Sequence, residues 1–181
     1  TMDAGEDGMH DDMLATLVQW FEDAEDQTSD ARTKSERDRD YYDNKQYTAE
    51  ERALLEARKQ PVISDNRIRR KIDYLCGLEK QARQDPKAYP RNPQDEEAAE
   101  AATDAIRFVA DSNRFPQIAS RVWENELIEG CGGVDVCVEE GGPQGYKIFL
   151  RRVSWDRMFF DPHSSEPDFG DAQYLGIVVW M

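Results

Sequence analysis

Two histidines, three cysteines and one run of closely spaced cations are the side chains of this 181-residue chain with the types to do chemistry. His163 lies near Asp161, Glu166 and Asp168, a combination that could hold a metal or exchange protons. The only other imidazole, His10, is far away in sequence, and a Pro- and Ser-containing loop is naturally rich in acids, so the cluster reads as a surface loop. Cys131 and Cys137 could be proposed as a redox pair. Six residues apart and opposite in strand phase, they read instead as small buried apolar residues. With Cys76 they make an odd count that matches no zinc spacing, so reduced thiols, an intracellular setting and no metal or cofactor are expected. No nucleophile, base and orienting group can be assembled, and no enzymatic activity is expected from these residues.

Gly130-Cys131-Gly132-Gly133 has the glycine content of a phosphate-binding loop. Such loops join a strand to a following helix, whereas here a helix precedes and a strand follows, so the run reads as a helix C-cap and turn. The remaining candidate is the cluster Arg67, Arg69, Arg70 and Lys71. Arg67 and Lys71 share a helix face at i, i+4, with Arg70 one step away. One reading is a solvated face with Asp73 and Glu79 as local partners. The other is docking against an acidic patch of a neighbouring subunit, or contact with DNA phosphates. Exposed ion pairs contribute only about 0–1 kcal/mol each, so such a cluster would tune geometry while apolar burial supplies the energy. Trp20, Trp123, Trp155 and Trp180 are candidates for core or half-core positions, or for anchors at a subunit seam.

Charge is strongly segregated. The net charge is −15, yet residues 1–30 hold ten Asp/Glu and no Lys or Arg, while residues 58–91 hold ten Lys/Arg against four Asp/Glu. The whole-protein field would repel phosphates, which argues against a simple DNA-binding module and permits contacts between identical subunits. No run of apolar residues is long enough to span a membrane, and no signal peptide is visible.

The elements that must carry these residues follow from periodicity and capping. Residues 1–12 read as a disordered acidic head. Met13, Leu14, Leu17, Val18 and Phe21 fall at helical spacing, and the helix is expected to continue, polar all round, through residues 22–43. The alternating charges of residues 34–40 suit pairing along an exposed face. Thr48 and Glu51 make a capping box for a helix from Ala49 to Lys59 that stops before Pro61. Asp65 is the expected cap of the next helix, with Ile68, Ile72 and Leu75 along its apolar face. Asp95-Glu96-Glu97 opens a helix running to about Ser112. Phe115-Pro116 restarts it, with Ile118, Val122, Trp123 and Leu127 as the core face, and Gly130 ends it. Val134, Val136 and Val138 alternate as a half-buried strand, Gly141–Gly145 turns, and Lys147–Val153 return. Met158–Phe160 and the apolar residues 172–181 complete the strands, and so apolar an end is expected to continue in a longer chain.

The order of these signals resembles the N-terminal part of tailed-bacteriophage portal proteins, the ring-forming head-to-tail connectors. The residues that carry it are Tyr41-Tyr42-Asp43-Asn44-Lys45-Gln46-Tyr47-Thr48, Arg58-Lys59-Gln60-Pro61, the run from Asn66 to Gly77, Arg83, Tyr89-Pro90-Arg91, Asp95-Glu96-Glu97 and Phe160-Asp161-Pro162. It covers roughly residues 36–181. The resemblance implies an α+β fold in which N-terminal helices precede a small antiparallel β-sheet within a portal wing-like domain. The expected division is a head at 1–12, a helical arm at 13–60 and a wing-like domain at 61–181. It also implies a ring, usually of twelve copies, at one capsid vertex of the virion, assembled in the host cytoplasm. Double-stranded DNA would pass through it non-specifically. Terminase, scaffold or capsid and tail adaptor proteins would dock on it, and no membrane is involved. Closed cyclic symmetry needs two different patches meeting head to tail, for which the acidic helix 13–43 and the basic segment 58–91 are candidates. A rival reading is an α+β protein-interaction adaptor without a DNA role. A third is a fragment of an enzyme whose catalytic residues lie elsewhere.

Overall fold

Local capping and helix propensity set most element boundaries. The computed structural model describes residues 4–141, 145–166 and 169–179, with side chains from Asp12 onward. The hairpin-turn residues 142–144, Asp168, Trp180 and the His10 side chain therefore lie outside the described residues. Among the described residues five α-helices come first: α1 (Ala4–Tyr42), α2 (Ala49–Ala57), α3 (Arg67–Ala82), α4 (Glu96–Ser112) and α5 (Phe115–Glu129). Four strands follow: β1 (Gly133–Glu140), β2 (Tyr146–Val153), β3 (Met158–Phe160) and β4 (Leu175–Ile177). The fold class is thus α+β, helices ahead of small antiparallel sheets, as expected.

The helix α1 begins at Ala4, inside the head expected to be disordered, and stays helical through its polar half. Compact packing divides the chain into residues 1–36 with 156–181, and residues 37–155. α2 ends at Ala57, two residues short of the expected Lys59, with Arg58 as its C-cap and Lys59 left-handed (φ 54°), and the segment after it returns to the end of α1: Asn66 Nδ2 donates to the Tyr41 and Tyr42 carbonyls at 2.9 Å each.

Within residues 37–155, the Thr48–Glu51 capping box is present, with Thr48 N donating to Glu51 Oε2 at 2.8 Å and Glu51 N to Thr48 Oγ1 at 3.2 Å. Asn66, not Asp65, caps α3, its side-chain oxygen accepting from Arg69 N at 3.0 Å. α3 lies on α5, where Arg83 at the end of α3 donates to Ser120 at 2.7 Å. Asn113 ends α4 and ties it to β2, donating to the Ile148 carbonyl and accepting from Leu150 N at 3.1 Å. The α5 face buried most deeply holds Asn125, Ile128 and Glu129, one step round from the predicted line. Ile118, Val122 and Leu127 are half-buried and Trp123 is more exposed. The helix can turn its polar residues inward because both find partners: Arg152 for Asn125 and Arg39 for Glu129.

β1 and β2 form one antiparallel hairpin in which Val136 faces Leu150 and Val138 faces Ile148. The half-buried strand expected there holds at Val134 only: Val136 and Val138 are 64% and 63% exposed, so the apolar face is open over its outer part. Periodicity reveals that a strand has two unlike faces, and not whether anything covers the apolar one.

In the other unit, β3 and β4 pair antiparallel against the N-terminal half of α1. Trp20 stacks on Tyr174 at 5.0 Å, Phe21 meets Phe159 edge-on at 5.5 Å, and Arg32 Nη2 donates to the Met158 carbonyl at 2.6 Å. Gly176 lies opposite Phe159 and leaves room for its ring, which a Cβ there would strike. Ala24, one turn on from Trp20 and Phe21, is fully buried.

Candidate functional site

The structure accounts for the nominal catalytic residues as structural ones. Asp161 accepts from His163 N at 2.9 Å and Gln173 N at 3.1 Å, closing the loop between β3 and β4. Those amides, Gln173 first, hold its carboxyl below the usual carboxylate range despite burial. Asp171 similarly accepts from Ser164 Oγ and Ser165 N. Among the described residues, no three His, Cys, Asp or Glu side chains come together in a way that could hold a metal ion. Cys137 Sγ donates to Asp135 at 2.8 Å, which pushes its thiol up, and burial does the same for Cys76. Neither thiol is activated as a nucleophile. Gly130 takes a left-handed conformation (φ 85°) as the C-cap of α5, its N–H donating to Glu126 O. The glycine run is a helix stop.

The cations of α3 occupy the first turns of a helix whose N-terminus is fixed by Asn66. Arg67 Nε meets Asp65 Oδ2 at 3.1 Å and Arg70 Nη2 meets Asp65 Oδ1 at 3.2 Å, so the residue expected as a cap serves as their shared counter-ion. Arg69 points another way. It lies 3.7 Å from Asp73 Oδ2 and 5.4 Å from the centre of the Tyr42 ring. Tyr42 is buried, donates to Asp73 Oδ1 at 2.8 Å, and has its hydroxyl pushed up to about 12, chiefly by burial. Lys71 is exposed on the side of Arg67. Glu79, the other local partner expected, is taken by Arg83 and Ser120, which outweigh its burial and hold its carboxyl below the usual range.

The four cations therefore divide. Arg69 braces the end of α1 through Tyr42, while Arg67, Arg70 and Lys71 face solvent against one carboxylate. Exposed pairs of this kind leave guanidinium groups able to exchange Asp65 for another anion at little cost. The arrangement offers donors and positive charge on a helix, with no reacting group beside them. Sequence reasoning missed the bracing set of Tyr42, Asn66, Arg39 and Glu129. The only signals were the Tyr41-Tyr42 pair and the choice of two adjacent capping residues, Asp65 and Asn66.

None of the described helices is long and apolar enough to cross a membrane. No curated protein matches the chain. A family model described as "Phage P22-like portal protein" matches residues 18–181, from within α1 to the last residue. A match of that extent, over most of the chain, places this protein in the phage P22-like portal protein family.

Proposed function

We propose that the chain contributes to a ring at one capsid vertex through which double-stranded DNA is packaged and ejected, with terminase, scaffold or capsid and tail adaptor proteins docking on the assembled ring. The family match over residues 18–181 carries this reading. Residues 61–181 act as the wing-like part and residues 13–60 as its arm. The net charge of −15 suits a conduit, since a body of that sign does not adsorb the polyanion that must slide past it. Subunits meet through two unlike patches, as a closed ring demands. Arg67, Arg70 and Lys71 on α3 supply positive charge to one, and the acidic stretch of α1 supplies negative charge to the other. Host cytoplasm is the site of assembly and the virion its destination.

Charge reversal at Arg67, Arg70 and Lys71 tests the role of the solvent-facing cations, with Arg69 left in place on Tyr42. In the intact protein the triple variant Arg67→Glu, Arg70→Glu, Lys71→Glu is expected to need at least tenfold more protein to assemble, read by native mass spectrometry. Assembly at the parental concentration removes the cluster from the interface.

A further inference from the structure

One stripe of α1 is covered for part of its length only. From Trp20 to Arg32 it carries the aromatics, Ala24 and the arginine that hold β3 and β4. The same stripe continues toward the N-terminus as Met13, Leu14, Leu17 and Val18, which are 54%, 60%, 44% and 46% exposed. Four adjacent aliphatic side chains left open on a helix form an unpartnered surface. Its charge selects the occupant. Residues 1–30 hold ten acids and no cation, so a second α1 segment, a nucleic acid or an anionic lipid surface would be repelled.

The outward face of α3 has the complementary composition. Arg67, Lys71, Tyr74, Leu75 and Leu78 fall at i, i+4, i+7, i+8 and i+11, which lines them along one side of a helix. Tyr74, Leu75 and Leu78 are exposed there, with Tyr74 66% so. We infer that residues 13–25 of α1 dock antiparallel on the Arg67–Leu78 face of α3 in a neighbouring copy of the chain. Antiparallel alignment sets Lys71 and Arg67 against Glu22 and Glu25, and Leu75 and Leu78 against Val18 and Leu14. The spans agree to within one residue: seven positions from Lys71 to Leu78 and eight from Glu22 to Leu14. The antiparallel sense also places opposite helix-dipole ends side by side. This rests on the ring reading above and supplies the apolar contact which the arginine cluster alone lacks.

Disulfide trapping in the intact protein decides the matter. With Cys76, Cys131 and Cys137 changed to Ser, the double variant Val18→Cys, Leu75→Cys is oxidised and run on a non-reducing gel. A ladder of covalent multimers, collapsing to one band on reduction, is expected. A second variant, Leu14→Lys with Leu17→Lys, is expected to raise the concentration needed for assembly at least tenfold. Rings without interchain cross-links, cross-links confined to one chain, or normal assembly of the lysine variant each overturn this contact and leave the portal reading standing. Failure of the parent protein to form rings overturns the portal reading itself, and this contact with it.

Discussion

Arg39→Met should lower the melting temperature of this protein by about 6–12 °C at neutral pH, while Glu129→Gln should leave it within about 2 °C of the parent. The two residues form one ion pair, yet they are not equivalent. The Glu129 side chain is 1% exposed and that of Arg39 is 30% exposed. Arg39 donates to Glu129 Oε1 through Nε and Nη2, and its Nη1 lies 3.8 Å from Glu124. Burial pushes the Glu129 carboxyl above the ordinary glutamate range, further than Arg39 pulls it down, and Glu124 adds to the rise. Ionised Glu129 is therefore a net cost that Arg39 only reduces. Removing Arg39 takes the nearest counter-charge from a buried carboxylate, for which about 3 kcal/mol is expected, the low end for buried pairs because water reaches Arg39. Glutamine keeps an acceptor for Arg39 and discards the charge.

The pH dependence has a definite sign. A carboxyl whose folded pKa is raised disfavours folding once it ionises, so its contribution declines as pH climbs from about 4.3 through the raised value. Glu129→Gln should lack that decline. In Arg39→Met the carboxyl rises further, so the decline should extend to higher pH and the loss relative to the parent should shrink in acid. Thermal melts between pH 4 and 8 read both effects. Equal loss from both substitutions at pH 7 would refute the asymmetry.

The second large effect is expected at Asn66. Its side chain caps α3 through Arg69 N and donates to the carbonyls of Tyr41 and Tyr42 at the end of α1. Loss of an N-cap costs about 1 kcal/mol, and each unmet carbonyl bond about 1 kcal/mol more. Asn66→Ala should therefore cost about 2–3 kcal/mol, or roughly 4–12 °C. Asp65→Ala removes only exposed pairs with Arg67 and Arg70 and should cost about 0–1 kcal/mol. Asn66→Asp keeps the cap, forfeits both donors and should fall between them. A larger loss from Asp65→Ala than from Asn66→Ala would restore the cap suggested by sequence.

That contrast shows what could be read in advance and what could not. The capping box at Thr48 and Glu51, the span of α4 and the stop at Gly130 depend on residues within four or five positions, and each was legible. Asp65 and Asn66 are chemically alike as caps, and only the return of the chain to Tyr41 and Tyr42 separates them. Arg39 and Glu129 are 90 residues apart, so their pairing left no local trace, and the alternating charges around Arg39 suggested an exposed face instead. The polar continuation of α1 was legible to within one residue of its end at Tyr42, whereas its start at Ala4, inside the acidic head, was not. Conversely, Val136 and Val138 of β1 and the leucines of α1 announced apolar faces that the described residues leave open. Of the candidate site, the shared face of Arg67 and Lys71 was legible. The diversion of Arg69 to Tyr42 was not, because it depends on where α1 ends.

As a member of the phage portal family, the protein is a structural component of the capsid. The ring that this account ascribes to it can be observed directly. Negative-stain or cryo-electron microscopy of the intact protein, at concentrations where native mass spectrometry finds multimers, should show closed rings whose central opening admits a DNA duplex. Particles that remain single, or that form open chains without a central hole, would contradict it.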